Sequence, residues 1–408
     1  MSIPVQHSNT ASALSAPTRK QRLSMAVILG SMTAIGPLSI DMYLPSLPML
    51  ASDLQTSTSF AQLSLTACLL GLALGQLMLG PLSDARGRRK PLILSLAIYV
   101  IASVLCAIVP SIGGLIALRF IQGMAGSGGI VIARAMVRDM YSGSELTKFF
   151  SLLMLINGLA PILAPIAGGQ LLQFTTWHGV FIVLGLLGLL MMIAAWFGLP
   201  ETLQPERRST GGLRTTMATF RTLLSDREFM GYACTQGFVF AAMFGYISGS
   251  PFVLQEIYGA SPQAYSLFFA LNGLGLIIAT QITGRLATRF HEKQLFIAGI
   301  VQTVSGGLLL LAAILLHAPL IAVVIALFIV VSSTGVVNTA GFSLAMQSQG
   351  ERAGSASAML GLMSFIAGSL AAPLVGIAGS HTAVPMGVVI ACCGLGAVLS
   401  YLFMIRKR

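Results

Sequence analysis

Apolar residues run down this chain in twelve long blocks, with short polar connections between them. The blocks cover residues 24–47, 61–82, 91–110, 114–137, 149–172 and 179–199, then 229–252, 264–287, 295–316, 319–345, 355–378 and 384–405. Each is close to the roughly 20 residues that a helix needs to cross a bilayer. The pattern therefore predicts an all-α integral membrane protein with twelve spans. Residues 1–22, rich in Ser, Thr and Pro, read as a disordered tail. Residues 23–199 and 229–408 form two six-helix bundles, and the polar, basic segment 200–228 reads as a linker between them.

Basic residues orient the spans. The 23 Lys and Arg fall in the N-terminal tail, in every second connection or in the C-terminal tail, and the other connections have none. One of them, Arg119, is placed inside a span. This is the positive-inside pattern, which predicts an even number of crossings with both termini and the linker in the cytoplasm. Composition agrees with a bilayer, because only 9% of residues are charged and 55% are hydrophobic, whereas a soluble domain carries about a quarter charged residues. In a soluble protein a net charge of +11 would suggest nucleic acid. Here the charge sits at membrane edges, so anionic lipid is the expected partner and nucleic acid is set aside. The five Cys lie within spans without metal-ligand spacing and read as packing residues. The first block is too long for a cleavable signal, lacks a small-residue cleavage site and contains Asp41, so it is read as a retained helix.

The two halves resemble each other. Gly80-Pro81-Leu82-Ser83-Asp84 closes span 2, and half a chain later Gly284-Arg285-Leu286-Ala287-Thr288 closes span 8, with Gly71 overlying Gly275. Two parallel six-helix repeats around a midplane site are an architecture of secondary transporters. Most of the 44 glycines are expected to serve close helix packing, while Pro161 and Pro165 are expected to kink span 5.

Among the acids only Asp41 falls within a span, roughly 9 Å from its outer end at 1.5 Å per residue. Arg119 is about 8 Å from the outer end of span 4, which runs the opposite way, so the one intramembrane acid and the one assigned base share a level. Charges at such depth are costly and usually mark ion or substrate paths. Desolvation favours a neutral Asp and a nearby Arg favours the carboxylate, so a shift between these influences moves a proton. Arg119 keeps its proton and acts as the fixed counter-charge. A static ion pair ordering spans 1 and 4 is the competing reading. A second constellation runs from Gly80 through Asp84 and Arg88 to Lys90 between spans 2 and 3. Its basic residues hold the loop inside. Asp84 is placed to face the positive N-terminus of span 11 near Ser355, with Arg138 and Asp139 as further partners in a latch between the halves.

These segments resemble a known family. Gly80–Lys90 is similar to the loop 2–3 signature of the major facilitator superfamily, and Arg119-Phe120-Ile121-Gln122-Gly123 to its helix 4 motif. Pro161, Pro165, Gly168 and Gly169 match its helix 5 antiporter motif, except that Ala164 replaces a usual Gly. Ser39–Pro48 and Val137–Tyr141 resemble the bicyclomycin and chloramphenicol resistance branch, Bcr/CflA. The resemblance covers about residues 24–405 and implies drug:proton antiport in a bacterial inner membrane, by a monomer, with Asp41 protonated and Arg119 its partner. It also places Asn157, Gln236, Asn272 and Asn338 on helices that line the cavity. Tyr43, Gln122, Phe240 and Phe244 are further candidates for that surface.

No Gly-rich phosphate loop, zinc-protease motif or serine elbow occurs, and the scattered His show no paired metal spacing. The reading is therefore of a transporter and not an enzyme, driven by a proton gradient with no cofactor and no metal. A proton-coupled importer of a small metabolite and a transport-inactive receptor or scaffold stand as the alternatives.

Overall fold

The computed structural model describes residues 19–141, 143–208, 220–347, 349, 353–379 and 381–405. Several side chains between 143 and 157, Asn157 among them, lie outside that description. Twelve long helices follow one another: α1 (Ser24–Asp53), α2 (Thr58–Arg86), α3 (Arg89–Ile108), α4 (Ile112–Met140), α5 (Gly143–Leu171) and α6 (Trp177–Gly198), then α7 (Arg227–Ile257), α8 (Pro262–Leu286), α9 (Glu292–Leu315), α10 (Leu320–Met346), α11 (Ser355–Gly376) and α12 (Val384–Ile405). Eleven are long and apolar enough along their described length to cross a bilayer, and α5 contributes a shorter apolar stretch, Gly158–Leu171.

Local chemistry sets the helix starts. Ser57, Ser111 and Ser261 accept a hydrogen bond from the backbone N–H three residues on, capping α2, α4 and α8, and Pro262 supplies the first residue of α8. Asp226 caps α7 by accepting from the N–H of Glu228 and Phe229. At the other end of α2, Gly87 takes a φ of 87°, a left-handed value that turns the chain directly into α3.

The packing repeats with a period of six helices. Helix α2 lies along α4 as α8 lies along α10, α3 along α6 as α9 along α12, and α1 on α5 as α7 on α11. Glycines permit the closest of these approaches. A Cβ on Gly71 of α2 would stand 2.2 Å from the Phe120 carbonyl, and one on Gly123 of α4 would stand 2.2 Å from the Cys68 carbonyl. In the second set a Cβ on Gly275 would stand 2.5 Å from the Phe328 ring of α10. The chain is thus an all-helical, twelve-span membrane protein of two six-helix repeats.

Two expectations need correction. The sequence predicts a disordered tail through residue 22, whereas the first helical segment starts at Arg19. The positions before residue 19 lie outside the described residues. The sequence pattern places Arg119 alone within a span, but Arg134 also lies inside α4, six residues before its end at Met140 and so about 9 Å from it.

Candidate functional site

Helix α1 is broken where its chemistry lies. It runs through the later part of the segment Arg19–Thr33, then Ile35–Asp41, a 3-10 turn Leu44–Ser46 and a last segment Leu47–Asp53. Prolines set the breaks. Pro37 has no N–H for the carbonyl of Thr33, and Pro45 has none for that of Asp41, so Asp41 ends its segment. The helix then resumes as far as Asp53, whose Oδ2 accepts a 2.9 Å bond from Trp177 Nε1 of α6. Asp41 therefore lies deeper than a span ending at residue 47 had placed it.

Asp41 is buried and Arg119 is sealed from solvent, yet they form no ion pair here. The Arg119 guanidinium donates to the Ser39 carbonyl at 2.7 Å and to Gln122 Oε1. It also lies over the Tyr43 ring at 4.3 Å and the Phe181 ring at 5.5 Å, where the aromatic faces attract a cation. Gln122 Nε2 donates to Ser103 Oγ at 2.7 Å, Ser39 Oγ and the Tyr99 hydroxyl are 2.7 Å apart, and the Tyr43 hydroxyl is 3.2 Å from Ser64 Oγ. One network thus joins α1, α2, α3 and α4, with a ring from α6. Arg119 is committed to the backbone two residues before Asp41, which leaves the Asp41 carboxyl without a cation. Asp41 instead lies within electrostatic reach of Tyr246 and Tyr265 in the second set. Asn272 Nδ2 donates to the Tyr246 hydroxyl at 2.9 Å, and Phe269 packs against both tyrosine rings.

The other cavity candidates divide. Tyr43 and Gln122 are fully buried inside the first set as parts of the Arg119 network. Gln236, Phe240 and Phe244 follow one another at intervals of four along one face of α7. Phe244 packs on Phe365 and Gly368 of α11. Gln236 Nε2 and Asn272 Oδ1 are buried with no hydrogen-bond partner, and Asn338 is exposed on α10.

At one end of the bundle, called here the basic end, Arg88 collects both acids of its neighbourhood. Its Nη1 donates to Asp84 Oδ1 and, at 2.8 Å, to Ser83 Oγ, and its Nε donates to Asp139 Oδ2 at 2.8 Å. Thr202 Oγ1 donates to the same Asp139 oxygen at 3.3 Å. The N-terminus of α3 is closed by Glu201, whose carboxylate accepts from the N–H of Arg88 at 2.8 Å and of Arg89 at 3.1 Å. Burial works against the charged form of Glu201. The backbone N–H groups of Arg88, Leu203 and Arg89 and the charge of Arg208 outweigh it and hold the carboxyl below its ordinary range. Asp84 is turned to Arg88, and Ser355 of α11 is not among its partners. The sequence signal for Glu201 is its place as an acid just after span 6, in Pro200-Glu201-Thr202.

The far end shows how the two sets meet. Gln62 Nε2 donates to the Ser248 carbonyl at 3.1 Å, Ser59 Oγ to that of Pro373 at 3.4 Å, and Gln255 Nε2 to that of Pro45 at 3.2 Å. Ser266 Oγ donates to the Pro165 carbonyl at 2.7 Å and Gln263 Nε2 to that of Gly169 at 2.9 Å. Among the described residues, every hydrogen bond between the sets lies at this end, and each joins a neutral side chain to a backbone carbonyl. Two of these acceptors, Pro45 and Pro373, lie in 3-10 segments, and Pro165 lies within α5. The motif of α5 thus sits on the interface. Gly169 packs on Ser266 and Pro262 of α8, and a Cβ on Gly168 would lie 1.9 Å from the Met42 carbonyl of α1. Pro161 lies within the same helix.

Residues 29–372 match the description Major Facilitator Superfamily. The chain is 47% identical to an uncharacterized MFS-type transporter, YdgK, of Bacillus subtilis (strain 168), covering 96% of this chain and 98% of that one. It is 32% identical to a bicyclomycin resistance protein homolog of Haemophilus influenzae, covering 96% and 98%. It is 28% identical to the multidrug resistance protein MdtL of Salmonella heidelberg, covering 90% and 91%. Its fold matches that of a bacterial homolog of the human lysosomal transporter Spinster, with a TM-score of 0.76 at 16% identity over 96% of this chain and 97% of that one. With twelve spans in two repeats and a family match across most of its length, this chain belongs to the Major Facilitator Superfamily and is a multi-pass secondary transporter of small molecules.

Proposed function

We propose that this transporter exports drug-like compounds in exchange for protons, with Asp41 as the proton carrier. The observation that carries this reading is Asp41 itself. It is a buried carboxyl at a proline-made helix break, with no cation paired to it and with the tyrosines of the second set in reach. A carboxyl in that position couples a proton to the relative placement of the two sets. Arg119, locked to the Ser39 carbonyl, positions the segment that carries it and stands ready as a counter-charge when the break moves.

The basic end faces the cytoplasm of a bacterial inner membrane, with both termini inside. The present arrangement, closed by hydrogen bonds at the far end, is then the inward-facing one. In the opposite state Asp84 leaves Arg88 for the N-terminus of α11 near Ser355, and Arg138 and Asp139 complete the latch. Pro161, Pro165, Gly168 and Gly169 act as the joint where α5 slides on α8. The relatives named for bicyclomycin and multidrug resistance support a drug as cargo. Amide and aromatic side chains face one another around the central site, which suits neutral amphipathic antibiotics. Gln236, Phe240, Asn272 and Asn338 are the side chains offered to them.

Uptake of labelled chloramphenicol and bicyclomycin into cells with and without the protein tests the direction. The reading expects lower steady-state accumulation with the protein, restored to the control level when the proton gradient is collapsed. Higher accumulation with the protein would assign it as an importer.

A further inference from the structure

Arg134 is a cation without an anion. It lies on α4, partly buried, and its Nε is sealed from solvent with no hydrogen-bond partner. Neither ion pair of this neighbourhood includes it. Three acids at the basic end of the first set are held by other partners: Asp84 and Asp139 by Arg88, and Glu201 by backbone N–H groups. Arg138, one turn on, adds positive charge. Its Nη groups are not sealed in the same way, so an anion arriving from solvent can reach the guanidinium, which no group among the described residues has satisfied.

The face of α4 on which Arg134 stands is defined by its neighbours. Four residues earlier, Ile130 packs on Gly36 of α1, and three residues earlier, Val131 packs on Gly80 of α2. Arg134 continues that seam by one turn. Gly128, about a third of a turn round α4 from Arg134, backs onto Ser95 of α3. The seam between α1 and α2 therefore looks away from α3, toward the second set. It does so on the basic side, where no hydrogen bond among the described residues joins the sets.

We propose that Arg134 is a docking point for an anionic oxygen group, a carboxylate, phosphate or sulfonate, on an amphipathic ligand entering between the two sets from the basic end. A guanidinium takes such groups by two parallel N–H···O bonds. The anion has two possible carriers, a free ligand or the headgroup of an anionic lipid. The site is about 22 Å along α4 from Arg119, at 1.5 Å per residue. It is separate from the proton site and does not depend on the direction of transport.

The test uses the full-length protein in nanodiscs of neutral phosphatidylcholine, with 2-naphthoate and the uncharged 2-naphthalenemethanol titrated by calorimetry. Wild type is expected to bind the acid about tenfold more tightly than the alcohol, a ratio equal to roughly 1.4 kcal/mol. R134Q is expected to remove that preference and leave the alcohol unchanged, and R134K to keep part of it as a point charge. A parallel arm measures retention of phosphatidylglycerol over phosphatidylcholine by native mass spectrometry of protein from mixed discs. Loss of the naphthoate preference in R134Q assigns a free ligand, and loss of lipid retention alone assigns a headgroup. If R134Q does not fold, R134K and competition by inorganic sulfate against naphthoate on wild type decide the matter. Equal binding of acid and alcohol to wild type, together with no phosphatidylglycerol preference, overturns the proposal.

Discussion

Arg119 and Glu201 show how single side chains set this structure. Arg119 satisfies a backbone carbonyl beside the α1 break and Gln122 at once. Its replacement by Ala strands both, at about 1–3 kcal/mol for each buried group left unpaired. Arg119→Ala is therefore expected to lower the thermal unfolding midpoint in detergent by several degrees. Arg119→Lys is expected to recover only part, because one ammonium cannot span both acceptors over the Tyr43 ring. Glu201 adds a pH dependence with a definite sign. Its carboxyl is held below its ordinary range in the folded protein, so its contribution is full above that range and is lost as pH falls below it toward the depressed folded-state value. Hydrogen exchange at the Arg88 and Arg89 amides is expected to show protection at neutral pH that weakens on acidification. Glu201→Gln is expected to remove that pH dependence.

At the scale of elements, glycine placement governs how closely helices approach. Gly123 has a carbonyl of α2 where a Cβ would go, whereas Gly361 of α11 has nothing within 4 Å. Gly123→Ala is expected to destabilise the protein or cut its yield, and Gly361→Ala to leave both unchanged, as read by thermal unfolding of the purified variants. Helix number, helix order and the repeat were legible in the sequence because bilayer thickness imposes block length and basic residues mark one side. The proline breaks in α1 were less so. Pro37, Pro45 and Pro48 are visible in the chain, but a membrane helix tolerates proline when neighbours satisfy the freed groups. Only the packing reveals that Asp41 ends a segment. Arg134 is legible within the fourth block, but three residues from its end at residue 137 it is hard to tell from the basic edge.

Over the whole molecule, the contrast between the two ends is the main feature. Neutral side chains bonded to carbonyls hold the far end, while charged groups on the basic end are bonded within one set. A closure made of neutral hydrogen bonds is indifferent to pH, so in the proposed mechanism sensitivity to protons comes from Asp41. Ser266→Ala combined with Gln62→Ala removes two of these bonds. The pair is expected to shift the population toward opening at the far end, read as faster maleimide labelling of a cysteine placed near Ser59. What the sequence did not disclose at this scale is the pairing state. It put Asp41 and Arg119 at one level, but which group a guanidinium chooses depends on the carbonyl that a broken helix offers.

The central claim, that Asp41 carries the exchanged proton, is tested most directly in inverted membrane vesicles energised to an acid lumen. Chloramphenicol and bicyclomycin are added while lumen pH is followed. The account predicts substrate-induced proton release by the wild type and none by Asp41→Asn, with the variant present in equal amount and folded. Proton release by Asp41→Asn equal to that of the wild type would contradict it.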